Sequence, residues 1–165
     1  AIGTALVAMF HFPIIPAVPF LLYDAADVPI FIGTFAFGPW WGLAMTAVIS
    51  VIQGTIISPA DGIVGILMHI FATGSFVLVS GLLYRKNKTR RRAVFSLAAG
   101  IGTWVIVMIG WNLVITPAYF QMPIAAVVQL LPWILIFNII KSGANSILTY
   151  FLYKPIHHLI EKFEK

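Results

Sequence analysis

The chain has 165 residues, 61% of them hydrophobic and only 9% charged, with a formal net charge of +5. Soluble domains carry roughly 45–50% apolar and about 25% charged residues, so an ordinary soluble fold is excluded. The absence of cysteine removes disulfides, zinc–thiolate sites and thiol nucleophiles. What remains is a single integral membrane domain over residues 1–165, built of helices. A transmembrane barrel needs strict alternation of apolar and polar residues, and these runs are apolar on every side.

The first span ends near Phe12, where Pro13, Pro16 and Pro19 forbid regular helix. Ala1 to Phe12 is too short to cross a bilayer, so the first helix is expected to be truncated at its N-terminus. In it, Ala1 with Ala5 and Thr4 with Ala8 form small-xxx-small pairs that permit close helix approach. A proline-rich connection, 13–27, carries Tyr23, Asp24 and Asp27. Asp27 two positions before Pro29 reads as a helix N-cap and opens a short second span, Val28 to Phe37. Gly38-Pro39 is a tight turn. The third span, Trp40 to Ile57, begins on two interfacial tryptophans. Ser58 to Gly62 is a turn, and the fourth span is Ile63 to Tyr84. The fifth runs from Ala93 to Ile115, with a loop from Thr116 to Pro123. The sixth covers Ile124 to Tyr153 and is expected to bend at Pro132. Residues 155–165 read as an amphipathic tail on the cytoplasmic surface.

Six of the ten basic residues (Arg85, Lys86, Lys88, Arg90, Arg91 and Arg92) crowd between the fourth and fifth spans. This is the positive-inside pattern of a membrane protein, not a nucleic-acid footprint. The expectation is an all-α, polytopic protein of six transmembrane helices with both termini in the cytoplasm.

That topology brings Gln53, His69, Asn112, Asn138 and Lys141 to a similar depth on four helices, below the outer surface. On the sixth span Asn138, Lys141, Ser142 and Asn145 share an arc of about 100°. A charge at mid-bilayer costs about 2.5–3.5 kcal/mol, so Lys141 needs a partner or a cavity. Asp24, Asp27 and Asp61 all fall in loops, which leaves Lys141 without an acid at its depth and favours a cavity open to the outside. Asn112 and Asn138 suit the edge of an amide- or imide-bearing ring. Equally, they can bond across helices for about 0.6 kcal/mol each. His69 reads as a packing or contact residue, since a lone histidine is poor evidence for metal. Tyr23, Trp111, Tyr119 and Phe120 gather at the outer end, either to stack on a flat ligand or as an interfacial belt. No catalytic motif is present, no phosphate-cradling loop and no pair of intramembrane acids for proton coupling. A transporter so equipped must draw energy from a partner. A small membrane scaffold is the rival reading.

Several stretches resemble the riboflavin-specific substrate-binding (S) components of energy-coupling factor transporters. They are Phe-Pro at 12–13, Tyr-Asp-Ala-Ala-Asp-Val-Pro at 23–29, Phe-Gly-Pro at 37–39, Ala-Thr-Gly-Ser-Phe at 72–76, Trp-Asn-Leu-Val-Ile-Thr-Pro at 111–117 and Phe-Asn-Ile-Ile-Lys at 137–141. The resemblance implies a vitamin pocket near the outer surface, capped by the loop between the first two spans. It implies that Asn112, Asn138 and Lys141 hydrogen-bond the isoalloxazine edge. Gln53 and His69 would line the ribityl region, where relatives carry other polar residues, so FMN or another flat vitamin remains an alternative. Ala1, Thr4, Ala5 and Ala8 would dock on a transmembrane coupling subunit joined to two ATPase subunits. The chain itself would be no enzyme and hold no cofactor, with riboflavin as cargo, in the bacterial plasma membrane.

Overall fold

The computed structural model describes residues 2–9, 12–59 and 62–163, without the side chains of residues 7, 8, 154 and 156–163. Six helices follow the expected order: α1 (Ile2–Met9), α2 (Asp27–Phe37), α3 (Pro39–Ile52), α4 (Gly62–Arg85), α5 (Arg90–Phe120) and α6 (Ile124–Phe163). The segment from Pro39 to Ile57, α4, α5 and α6 are each long and apolar enough to cross a membrane. They pack in sequence, α3 on α4, α4 on α5 and α5 on α6.

The first two helices are shorter, and the second is enclosed by the others. Eleven residues at 1.5 Å rise reach only about 16 Å, half of a bilayer core of ~30 Å. Apart from Asp27 and Thr34 it is apolar on all sides, as suits a helix enclosed by others. Val28, Ile30, Phe31, Ile32 and Phe35 are all buried, and α2 packs against α3, α4 and α6. Its Phe31 stacks on Phe76 of α4 at 3.8 Å between centroids, with Trp104 of α5 edge-on to Phe76 at 6.3 Å. In a bilayer the gain from these rings is van der Waals packing between helices, since lipid is as apolar as the core. The short span is thus the hub of the bundle. Gly38, at φ 103°, turns the chain from α2 into α3 in a conformation closed to most side chains.

Four local features differ from the sequence expectations. The connection 13–27 contains a small antiparallel hairpin, β1 (Phe12–Pro13) with β2 (Leu22–Tyr23). Between its strands Ile15, Val18 and Leu21 pack on Ile134 and Phe137 of α6, so apolar burial holds the prolines down as a lid. The third span ends in a π turn, Gln53–Ile57, closed by the Ser58 N–H donating to the Gln53 carbonyl at 2.8 Å. The fifth helix continues through Pro117 to Phe120 instead of ending at Ile115. Proline removes one backbone donor, and only three residues remain before Gln121 enters the left-handed region and donates to the Pro117 carbonyl. Finally, α6 runs unbroken through Pro132 and Pro155, so residues 155–163 extend it. The amphipathic face expected of that tail rests on side chains outside the described residues.

Candidate functional site

Asp24 and Asp27 correct the sequence reading most. Both are fully buried, because the hairpin folds back and carries its exit segment between α4 and α6. Asp27 does not cap α2: the N-cap position is Ala26, and no side chain caps the helix. The Asp27 carboxylate turns inward, accepting from Thr73 at 2.8 Å, from His69 Nε2 at 3.1 Å and from Asn145 Nδ2 at 3.1 Å. A carboxylate is an acceptor only, so His69 Nε2 carries the hydrogen of that bond. The other ring nitrogen, Nδ1, lies 2.7 Å from Ser50 Oγ on α3. One carboxylate therefore ties α2 to α4, α6 and, through the imidazole, α3.

Asp24 supplies the acid that Lys141 lacked. The ammonium donates to Asp24 Oδ2 at 2.8 Å and reaches the Leu22 carbonyl at 3.4 Å. Asn145 Nδ2 also donates to the Asp24 carbonyl, while its Oδ1 accepts from Tyr23 at 3.0 Å. Burial, with the Asp24 charge second, pushes the Tyr23 phenol above its usual pKa, keeping it a donor. Asp24, Asp27 and His69 offer ligand atoms within 4.8 Å of one another, a spacing that suits a metal ion. The Lys141 ammonium already occupies the cation's role beside Asp24, and Thr73 and Asn145 serve Asp27. The arrangement is an ion-pair network.

This network forms one wall of a cavity at the end of the bundle opposite the basic loop. Its lining includes Asp24 from the lid, Ser50, Gln53 and Gly54 around the π turn, His69 from α4, Asn112, Thr116 and Tyr119 from α5, and Lys141 from α6. Five expected site residues, Gln53, His69, Asn112, Tyr119 and Lys141, thus border one hollow. Asn138 is not among its lining residues. It accepts from the Trp104 indole at 2.8 Å and donates to the Ile134 carbonyl at 2.8 Å, deep between α5 and α6. Asn112 Nδ2 bonds back to the Met108 carbonyl, and its Oδ1 accepts from Thr116 at 3.0 Å. Gln53 is different. Its Nε2 reaches Asp24 at 3.4 Å, but its buried Oε1 has no partner among the described residues. An unmet buried acceptor costs about 1–3 kcal/mol, so a donor supplied from the cavity would be favoured there. Aromatic rings rim the mouth: Phe20 of the lid meets Phe120 at 5.1 Å, and Trp111 meets Phe71 at 5.6 Å.

The hollow amounts to about 100 Å³, below the roughly 300 Å³ at which small-molecule sites begin. The lid over it is held by one apolar cluster, by the Asp24–Lys141 bridge and by the hydrogen bonds of Asn145 to Tyr23 and Asp24. Of the helix-docking candidates, Ala5 is exposed on α1 and Thr4 is half-buried. Ala1 and the Ala8 side chain lie outside the described residues.

Comparison with known proteins agrees on the family. The model of the ECF transporter substrate-specific component matches residues 1–153. The riboflavin transporter FmnP of Bacillus subtilis is 33% identical over 112 residues, 67% of this chain but only 58% of that protein's length. The riboflavin transporter RibU of Staphylococcus aureus is 28% identical over 160 residues, covering 93% of this chain and 82% of that protein. A solved structure described as the S component of a bacterial ECF transporter superposes with a TM-score of 0.82 at 28% identity. The match covers 96% of this chain and 90% of that one. The family model spans nearly the whole described chain and the fold superposes along it, so the chain belongs to the family of substrate-specific components of ECF transporters.

Proposed function

We propose that the cavity beneath the lid binds riboflavin from outside the cell and that the chain delivers it with a coupling subunit and two ATPase subunits. The single observation that carries this is the mixed lining of the hollow. It combines flat aromatic rings at the mouth with the unpartnered Gln53 Oε1 and the ion-paired Lys141 ammonium inside. The two riboflavin transporters that the chain resembles support the choice of ligand. The basic loop after α4 places the opposite end, and so the mouth, outward. Entry requires the lid to move, because a hollow of about 100 Å³ is too small for a three-ring system. FMN is the weaker candidate, since the Asp24 carboxylate offsets the Lys141 charge that a phosphate would seek.

Flavin absorbance and tryptophan quenching on purified protein test the proposal, with Trp111 in the cavity wall as reporter. Asn112→Leu should raise the riboflavin Kd by roughly 5- to 150-fold, the cost of about 1–3 kcal/mol for one lost polar contact. Asn138→Leu should lower stability, by stranding the Trp104 indole, yet leave Kd nearly unchanged. The reverse pattern would move the ligand to the Trp104 side. A protein that binds no flavin at saturation would revive the scaffold reading, in which these amides only join helices.

Docking of the coupling subunit on the small-residue face of α1 is testable separately. Ala5→Trp should leave riboflavin binding intact while abolishing uptake in cells that express the complete transporter. Normal uptake would remove α1 from the docking surface. The extension of α6 beyond Tyr153 is proposed to lie along the cytoplasmic membrane surface after a bend at Pro155.

A further inference from the structure

At the basic end of the bundle, α4, α5 and α6 part around a second hollow of about 310 Å³. Its walls are aromatic: Phe35 stacks on Tyr84 at 4.3 Å, and Tyr84 donates to the Tyr153 hydroxyl at 3.1 Å. These rings brace one another, so the space is preformed. Its rim is cationic, with Lys88 and Arg90 both lining it. Arg90 begins α5, whose first-turn N–H groups add the partial positive charge of a helix start. Arg92 is otherwise engaged, its Nε donating to the Leu83 carbonyl at 3.0 Å. Of the acids whose side chains are described, Asp24 and Asp27, neither answers this charge, since both lie at the far end.

One lip of the hollow is Phe151, which is 68% exposed. Ile147 stands one turn before it on the same face of α6 and is 60% exposed. An occupant held at the rim by its negative charge would therefore find an apolar track leading along the lipid-facing side. A free anion has no use for such a track. We propose that this hollow binds the headgroup of an anionic phospholipid of the inner leaflet. The phosphate lies between Lys88 and Arg90, and an acyl chain runs over Phe151 and Ile147. Basic pockets between helices on the cytoplasmic side are suited to such headgroups, and each nearby cation strengthens binding several-fold.

Titration of detergent-purified full chain with phosphatidylglycerol, read by native mass spectrometry and thermal shift, tests this against phosphatidylcholine and inorganic phosphate. Phosphatidylglycerol should be retained and should raise the melting temperature, whereas phosphatidylcholine should do neither. Lys88→Gln with Arg90→Gln should weaken the apparent affinity roughly 30-fold. Lys86→Gln with Arg91→Gln, the same charge change on residues outside the lining, should leave it nearly intact. Equal weakening by the two pairs would replace the site by diffuse attraction to the basic loop and overturn the proposal. So would an equal shift with inorganic phosphate alone, or no shift with phosphatidylglycerol.

Discussion

Lys141→Met is expected to destabilise the fold by about 3–5 kcal/mol, the cost of leaving the partner of a buried ion pair alone. The stranded group is Asp24, fully buried beside Asp27 with the ammonium 2.8 Å away. Neutralising both partners, Lys141→Met with Asp24→Asn, should restore most of that loss, since replacing a buried pair outright is often nearly neutral. Unfolding in detergent, arranged as a double-mutant cycle, measures the coupling directly. A single variant as stable as the original would mean that water reaches Asp24 through the cavity mouth. A membrane insertion scale alone predicts the opposite sign, because it counts the removed charge and ignores the stranded one.

The second large effect is at Asp27. Were it a helix cap, Asp27→Ala would cost about 0.5–2 kcal/mol. The structure gives it three buried donors instead, His69, Thr73 and Asn145, and each unmet donor costs about 1–3 kcal/mol. The expected loss is therefore ~3–9 kcal/mol, sufficient to unfold many domains of marginal stability. A measured loss near 1 kcal/mol would return the residue to its capping role. His69→Leu paired with Asp27→Ala should be milder than the sum, because the imidazole then no longer lacks an acceptor.

The order of the six helices was legible because prolines and glycines punctuate long apolar runs, and the basic loop fixed which ends belong together. The gathering of Gln53, His69, Asn112 and Lys141 came from counting depth along those runs. The ion pair did not. A segment with three prolines and two aspartates reads as an excursion into water, yet apolar Val18 and Leu21 fold it back onto α6. Charge balance held the missing signal. A lysine within an apolar span needs an acid, and Asp24 and Asp27 are the only acids before residue 61. The depth argument also placed Asn138 with the others, because depth along a helix does not resolve which neighbour a side chain meets. Its partner, the Trp104 indole, comes from the packing of α5 on α6.

The wide turn at Gln53–Ile57 left no mark in the sequence, because a surplus residue in a helix needs no special side chain. Its effect is on the backbone: one residue more than the α repeat rotates the next stretch of chain by about 100°. Gly54 within it lies close against Ile66 of α4, where even a methyl group would collide. The outline of the hollow is thus drawn by main-chain register as much as by the residues that line it. Cargo preference can then drift through substitutions at the lining while the container keeps its shape, whereas loss of a single residue from the turn would carry Gly54 out of its fit against Ile66.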